Sequence, residues 1–282
     1  STVAMRSVVG PLDQQNYEAN LTQLEEIELA VLGDENAAGF LGDIGRLPQA
    51  IGTDPLTQLQ ELWDQGAFPD YAINTPSGDS EIRIGTGWRG PYLDLGLTRN
   101  DITDRFANTF DLSGTGGGIG YEEDVETVFQ ADAAAVTAGV VDAADSGDFW
   151  QETVAVHVRQ GSGTAFTATP GEFLIIRAYG SVNGQAQTSV QATPIDLTTP
   201  PAQSSIDDGT GAAPTVVVDV EVPRGAKAFR AYQVTSATAP GAQDEIVDSA
   251  PTPPEVEATQ KSAIRFVTID DSVSQPITLT LE

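Results

Sequence analysis

The 282-residue chain contains no cysteine, one histidine and only two lysines, Lys227 and Lys261. Without cysteine there are no disulfides and no thiol chemistry. With a single imidazole and no thiolate, zinc lacks its usual nitrogen and sulfur ligands. The same scarcity weighs against a Ser–His–Asp triad: His157 lies within an expected strand, and no G-x-S-x-G elbow occurs. His157 therefore reads as a structural or solvent-facing residue. No apolar run approaches the roughly 20 residues of a membrane-spanning helix, and no signal peptide is found. Ser1 is not an initiator Met, so a processed or trimmed form is expected. Basic residues are few, 13 against 41 acidic ones, which gives a formal net charge of -28. Such a field repels phosphate backbones, so no nucleic-acid partner is expected.

What the chain does have is a hydrophobic fraction of 40%, enough for a true core, with 28 glycines and 17 prolines. That balance favours turns and strands over a helical bundle. The acid-rich, lysine-poor composition suits a surface that stays hydrated in salt, and an extracellular or cell-surface location is expected. Calcium is the cation such carboxylates suit. Its candidate ligands are Asp142, Asp145 and Asp148 in one short segment and Asp207 and Asp208 in a loop, none on the spacing of a twelve-residue calcium loop. Carboxylate pairs for glycoside hydrolysis are easily found among so many acids. Only Trp63, Trp88 and Trp150 are on hand as tryptophan platforms for a sugar, and Trp63 and Trp88 read as packing residues. No catalytic residue is assigned and no enzyme is expected.

Along the chain, residues 1–12 form an extended arm, with Val3, Met5 and Val8 as apolar positions. It reads either as a frayed terminus or as a strand donated to another subunit. Tyr17, Leu21, Leu24, Ile27 and Val31 recur at spacings of three and four and predict a helix from Asp13 to Leu32, stopped by Gly33. A shorter helix is expected after Asp54-Pro55, burying Leu56, Leu59, Leu62 and Trp63. The cluster Gly114–Gly120 is a hinge, lacking both the dinucleotide fingerprint and the lysine of a phosphate loop. Residues 121–150 connect, with helix and strand both open. From Gln151 the pattern is β: alternation over Thr153–Arg159, an apolar strand over Glu172–Tyr179, an Asn183-Gly184 turn, and further strands over Thr215–Val222, Ala228–Val234, Ser262–Ile269 and Ile277–Leu281. Seven or so such strands predict a β-sandwich over 151–282.

Two stretches stand out, Phe40-Leu41-Gly42-Asp43-Ile44-Gly45-Arg46-Leu47-Pro48 and Gly87-Trp88-Arg89-Gly90-Pro91-Tyr92-Leu93. Both mix large apolar groups, glycine, proline and one arginine, as a packed tight turn requires. Arg46 reads as a residue that satisfies carbonyls or a carboxylate in a partly buried turn, with a subunit contact as the functional alternative. Trp88 and Arg89 read as packing or cation–π residues.

Taken in order with Ala30–Asp34, Leu59-x-x-Leu62-Trp63 and Asp104–Phe110, these stretches resemble the type IV pilin-like proteins related to the major pseudopilin of type II secretion. The likeness covers residues 17–112. Phe106-Ala107-Asn108 replaces the Trp-Gly-Asn of that family, and Val222–Tyr232 is similar to the β-rich extensions of some members. The resemblance implies an α+β fold, with a pilin-like domain over 13–120 (a long helix on a small antiparallel sheet) followed by the β-sandwich domain. It also implies a structural subunit of an extracellular filament or pilus-like appendage, polymerising non-covalently with copies of itself and with other pilin-like subunits. The alternatives are a pseudopilin-type component of a secretion system and a surface binding or adhesion module. Only a short arm stands ahead of Asp13 where a pilin opens with a membrane helix: either that helix was removed, or the chain assembles without it, in which case the arm and exposed sheet edges are the elements for assembly.

Overall fold

The computed structural model describes residues 15, 18–19, 22–23, 26–27, 29–34, 37–48, 59–95, 151–207, 211–247, 255–270 and 275–282. The described residues are dominated by strand, 48% against 11% helix. This overturns the expected α+β fold built on a long helix: among the described residues no continuous helical run exceeds the five residues of Phe40–Ile44. Helical backbone is described at scattered positions between 15 and 32, closing at Gly33, whose N–H donates to the Leu29 carbonyl at 2.8 Å. The described part of the second expected helix is a single 3-10 turn, Gln60–Leu62. The physical reason is one of scale. An apolar stripe specifies a local conformation, whereas the organising core is set by whichever elements bury the most apolar area together. Here those elements are strands.

Two compact units divide the chain, and they interleave in sequence. One comprises 1–41, 46–68 and 89–150; the other comprises 42–45, 69–88 and 151–282. Residue 151 is therefore a unit boundary, while short pieces of the expected first domain belong to the β-rich unit.

In that unit β1 (Ala72–Asn74) and β2 (Ile84–Thr86) pair antiparallel as a small two-stranded sheet. The other strands are β3 (Gln151–Gln160), β4 (Glu172–Val182), β5 (Gln185–Gln191), β6 (Ile195–Asp196), β7 (Ser204–Asp207), β8 (Ala212–Pro223), β9 (Gly225–Thr235), β10 (Ile246–Val247), β11 (Val256–Lys261), β12 (Arg265–Ile269) and β13 (Ile277–Leu281). They form a seven-stranded sheet ordered β10-β11-β9-β4-β5, with β12 on β9 and β6 on β4, and a four-stranded sheet ordered β13-β3-β8-β7. Val154, Val156 and Val158 of β3, Val216, Val220 and Val222 of β8, and Leu279 and Leu281 of β13 share one core with Leu174, Ile176, Phe229 and Ala231 of the larger sheet. That is a β-sandwich.

The larger sheet is buried on its other face as well. Ile175, Tyr179, Ala228, Tyr232 and Val234 pack there with Ile82 and Ile84 of the 69–88 segment. β4 is thus covered on both sides, which is why Phe173-Leu174-Ile175-Ile176 reads as a continuous apolar run rather than an alternation. The hairpin from β4 to β5 turns through Asn183 and Gly184, both at positive φ (51° and 76°), as a two-residue turn of matching twist requires. Against this hairpin lies Gly45, at φ 83°, where a Cβ would sit 1.8 Å from the Ser181 carbonyl oxygen. The Ser181 hydroxyl donates to the Asp43 carbonyl at 2.6 Å, and the Gly184 N–H donates to the Ile44 carbonyl at 2.9 Å. The second glycine of the first conspicuous stretch is therefore set by the close approach of two backbones.

Candidate functional site

In the unit that contains it, Arg46 is the hub of a small cluster. Its guanidinium forks onto Glu61, Nη1 to Oε2 at 2.7 Å and Nη2 to Oε1 at 2.8 Å, and Nη1 also donates to the Leu47 carbonyl at 2.8 Å. It stands over the Phe68 ring at 5.1 Å. Phe68 and Tyr92 each meet the Phe40 ring edge-on, at 5.8 and 5.6 Å, and the Tyr92 N–H donates to the Leu62 carbonyl at 2.8 Å. Both conspicuous stretches thus deliver side chains to one packing cluster. Both partners expected of Arg46, a carbonyl and a carboxylate, are in place. Arg46→Ala strands a Glu61 that is only 11% exposed at its side chain, so a loss of about 2 kcal/mol is expected, read as a lower denaturation midpoint. Arg89 is exposed, and its backbone N–H donates to the Tyr92 hydroxyl at 3.1 Å. A cavity of about 510 Å³ lies nearby, lined among others by Glu26, Leu29, Asp34, Arg89, Tyr92 and Asp94. Its walls mix three carboxylates, a guanidinium and apolar groups, which fits no single ligand class.

The other sequence candidates are dispersed. Trp88, half-buried in the β-rich unit, exchanges backbone bonds with Pro69 and Tyr71 (2.8 and 3.0 Å) and so closes the 69–88 segment. Asp207 ends β7, and its Oδ1 accepts the N–H of Gly211, the residue ahead of β8, at 3.2 Å. Val3, Met5, Val8, Asp142, Asp145, Asp148 and Asp208 lie outside the described residues. Among the described residues no group of three or more His, Asp or Glu side chains is placed to hold a metal ion. His157 is half-buried on β3, opposite Val217 of β8 and Thr278 of β13. No described helix is long and apolar enough to cross a membrane.

The most concentrated polar chemistry lies where the 69–88 segment covers the larger sheet. Asp79 and Arg230 are 4% and 5% exposed, Tyr232 1% and Tyr179 0%. Asp79 Oδ2 accepts from Arg230 Nη1 at 2.8 Å and from the Tyr232 hydroxyl at 2.5 Å. Tyr232 in turn accepts from Tyr179 at 2.7 Å, since its own proton is committed to Asp79. Asp79 Oδ1 takes the Glu81 N–H at 2.9 Å. Arg230 also reaches Glu81 Oε2 at 2.8 Å and the Ser262 carbonyl at 2.9 Å, and Lys261 Nζ meets Glu81 Oε1 at 2.6 Å. Burial raises both phenols above the ordinary tyrosine value, most strongly at Tyr232, where neighbouring Tyr179 and Asp79 add to it. Hydrogen bonds from Lys261 and then Arg230 hold the Glu81 carboxyl low. At Arg230 burial opposes the charge, but Asp79 and Glu81 outweigh it and raise the pKa. Neutral phenols and paired charges describe a lock, in which Asp79, Arg230, Tyr232 and Tyr179 each have a partner. It bolts the 79–84 segment to β9 and β4.

Two more cations are buried in the same sheet. Arg177, 0% exposed, donates to the Gln191 side chain (2.7 Å) and to the carbonyls of Asp244 (2.8 Å) and Gly241 (2.7 Å), pinning the loop ahead of β10. Lys227, 1% exposed, lies across Gly180 and has one hydrogen bond, to the Arg224 carbonyl at 3.3 Å.

Family models, curated proteins and solved structures were all compared with the chain, and none matches.

The two most exposed large apolar side chains described in this unit lie apart. Ile73 of β1 is 72% exposed and Phe266 of β12 is 63% exposed. Among the described residues β1 pairs only with β2 and β12 only with β9, so each presents one open hydrogen-bonding edge. Sequence reasoning anticipated exposed edges as a class but not these two, because a five-residue edge strand carries the same pattern as a paired one. It also passed over the lock, although charged residues set within apolar strands, Arg177 in Phe173–Tyr179 and Lys227 and Arg230 in Ala226–Tyr232, are a readable signal of buried, partnered charge.

Proposed function

We propose that the chain is a structural subunit of an extracellular filament or appendage-like assembly, joined to copies of itself by non-covalent contacts. The observation that carries this reading is the pair of open strand edges, each with an exposed apolar side chain, on a sandwich stiffened by a buried lock. An unpaired edge offers a row of N–H and C=O groups to another strand, and an exposed apolar residue beside it adds buried area on pairing. The acidic surface supports the same reading, since a subunit charged at -28 stays hydrated while salt screens repulsion between neighbours. Sedimentation velocity over a concentration series tests it: association that strengthens with salt and concentration is expected, and a monomer under every condition would refute it.

A further inference from the structure

The open edges are not equivalent. β1 is three residues long, β7 ends in Asp207, β5 presents glutamine and serine with no exposed large apolar side chain, and the apolar side chains of β13 are all buried. β12 differs from all four. Its five residues, Arg265-Phe266-Val267-Thr268-Ile269, contain no proline and no acid, and four of them are strong strand formers. β11 lies on the same edge of β9, and β10 covers only its first two residues, Val256 and Glu257, so the open part of this edge includes β12, where it meets an exposed large apolar side chain. Phe266 points to solvent beside it, and the exposed Arg265 guanidinium has no hydrogen bond or ion pair among the described residues.

Charge selects the partner. β12 carries one cation, Arg265, and no acid, and Asp270 and Asp271 follow directly, whereas Lys261 ahead of it is already paired with Glu81. Elsewhere, copies of so acidic a chain repel one another, whereas this strand is cationic at its start and acidic just past its end. Antiparallel pairing of the strand with itself brings the cationic start of one copy toward the acidic end of the other, twice per contact by symmetry.

We infer that β12 is the edge through which two copies join, each adding its β12 antiparallel to the other's across a two-fold axis. This rests on the self-assembly reading above and names its first contact. The two larger sheets become one continuous sheet, and the two Phe266 rings lie on the same outer face of the joined strands.

The test uses the full chain at high salt, by sedimentation velocity, with Phe266→Glu and, as a control at the other edge, Ile73→Glu. Both positions are exposed, and thermal melts check that folding is kept; should Phe266→Glu melt early, Thr268→Glu, exposed on the same face, takes its place. Dimer formation weakened by at least about tenfold in Phe266→Glu, with the change counted twice per two-fold contact, and retained in Ile73→Glu supports the inference. Hydrogen exchange on the unaltered chain gives an independent reading: amides of 265–269 gain protection as concentration rises. Equal association of Phe266→Glu and the unaltered chain, or loss in Ile73→Glu alone, overturns the β12 contact and leaves self-assembly standing. A chain that is monomeric throughout overturns both.

Discussion

Asp79→Ala is expected to cost about 3–5 kcal/mol, the loss typical when one partner is taken from a buried, hydrogen-bonded charge pair. The carboxylate collects three donors at once, from Arg230, Tyr232 and the Glu81 backbone. Its removal leaves the Tyr232 hydroxyl and one face of the Arg230 guanidinium in a site from which water is excluded. Arg230 keeps Glu81, but that carboxylate is 49% exposed at its side chain and so returns little. Tyr232→Phe removes a single donor and should cost about 1–2 kcal/mol. Because both substitutions act on the same oxygen, their double variant should lose less than the sum of the two. Local opening provides a second readout. The lock fixes the 79–84 segment to the sheet, so hydrogen exchange in Asp79→Ala should accelerate at 80–86 more than at β3 or β8. A denaturation midpoint unchanged by Asp79→Ala would mean that the segment is held by the packing of Ile82 and Ile84 alone.

Lys227→Met should stabilise the protein at neutral pH by about 3 kcal/mol. Burial drives the ammonium from its ordinary 10.5 down to about 8, and its one hydrogen bond, to a carbonyl, does not compensate the lost hydration. The unfolded chain therefore holds a proton that the folded chain has released between about pH 8 and pH 10.5. In that window the unfolded state binds more protons, so stability rises with pH. Below about pH 8 both states are protonated and the full penalty of burying the charge is present; above 10.5 both are neutral and it is gone. Methionine fills similar space without a charge, so its stability should lie above that of the parent at pH 7 and converge on it by about pH 10.5. Urea denaturation of both chains across this range checks the prediction, and parallel curves would show that the ammonium is hydrated in the folded state.

Much of the β-rich unit is legible in the sequence because its central strands bury whole faces. The alternation of Val154, Val156 and Val158 and the unbroken run Phe173–Ile176 each report the number of covered faces directly. The Asn183-Gly184 turn is set by backbone sterics and needs no tertiary context. β7, β10 and β11 are not legible: they fall in segments read as loops or lie beyond expected strands, and their sequences, too short in β10 and largely polar in β7 and β11, take extended form from the ladder beside them. The largest misreading came from the amino-terminal stripe, a sound local pattern taken to organise a domain. The conspicuous stretches were seen as packed tight turns, but Phe40–Ile44 is a short helix, and only the fold shows that Phe40, Phe68 and Tyr92 pack together with Arg46 over Phe68, or that Gly45 is required by the Ser181 backbone. Contacts between distant segments, such as Asp79 with Arg230, leave no trace in spacing at all.

Negative-stain electron microscopy of the full chain at high concentration and high salt tests the assembly role most directly. Ordered oligomers or filaments that grow with concentration are the expected result, and they should be lost on Phe266→Glu. A uniform field of monomers at every concentration and salt would contradict it.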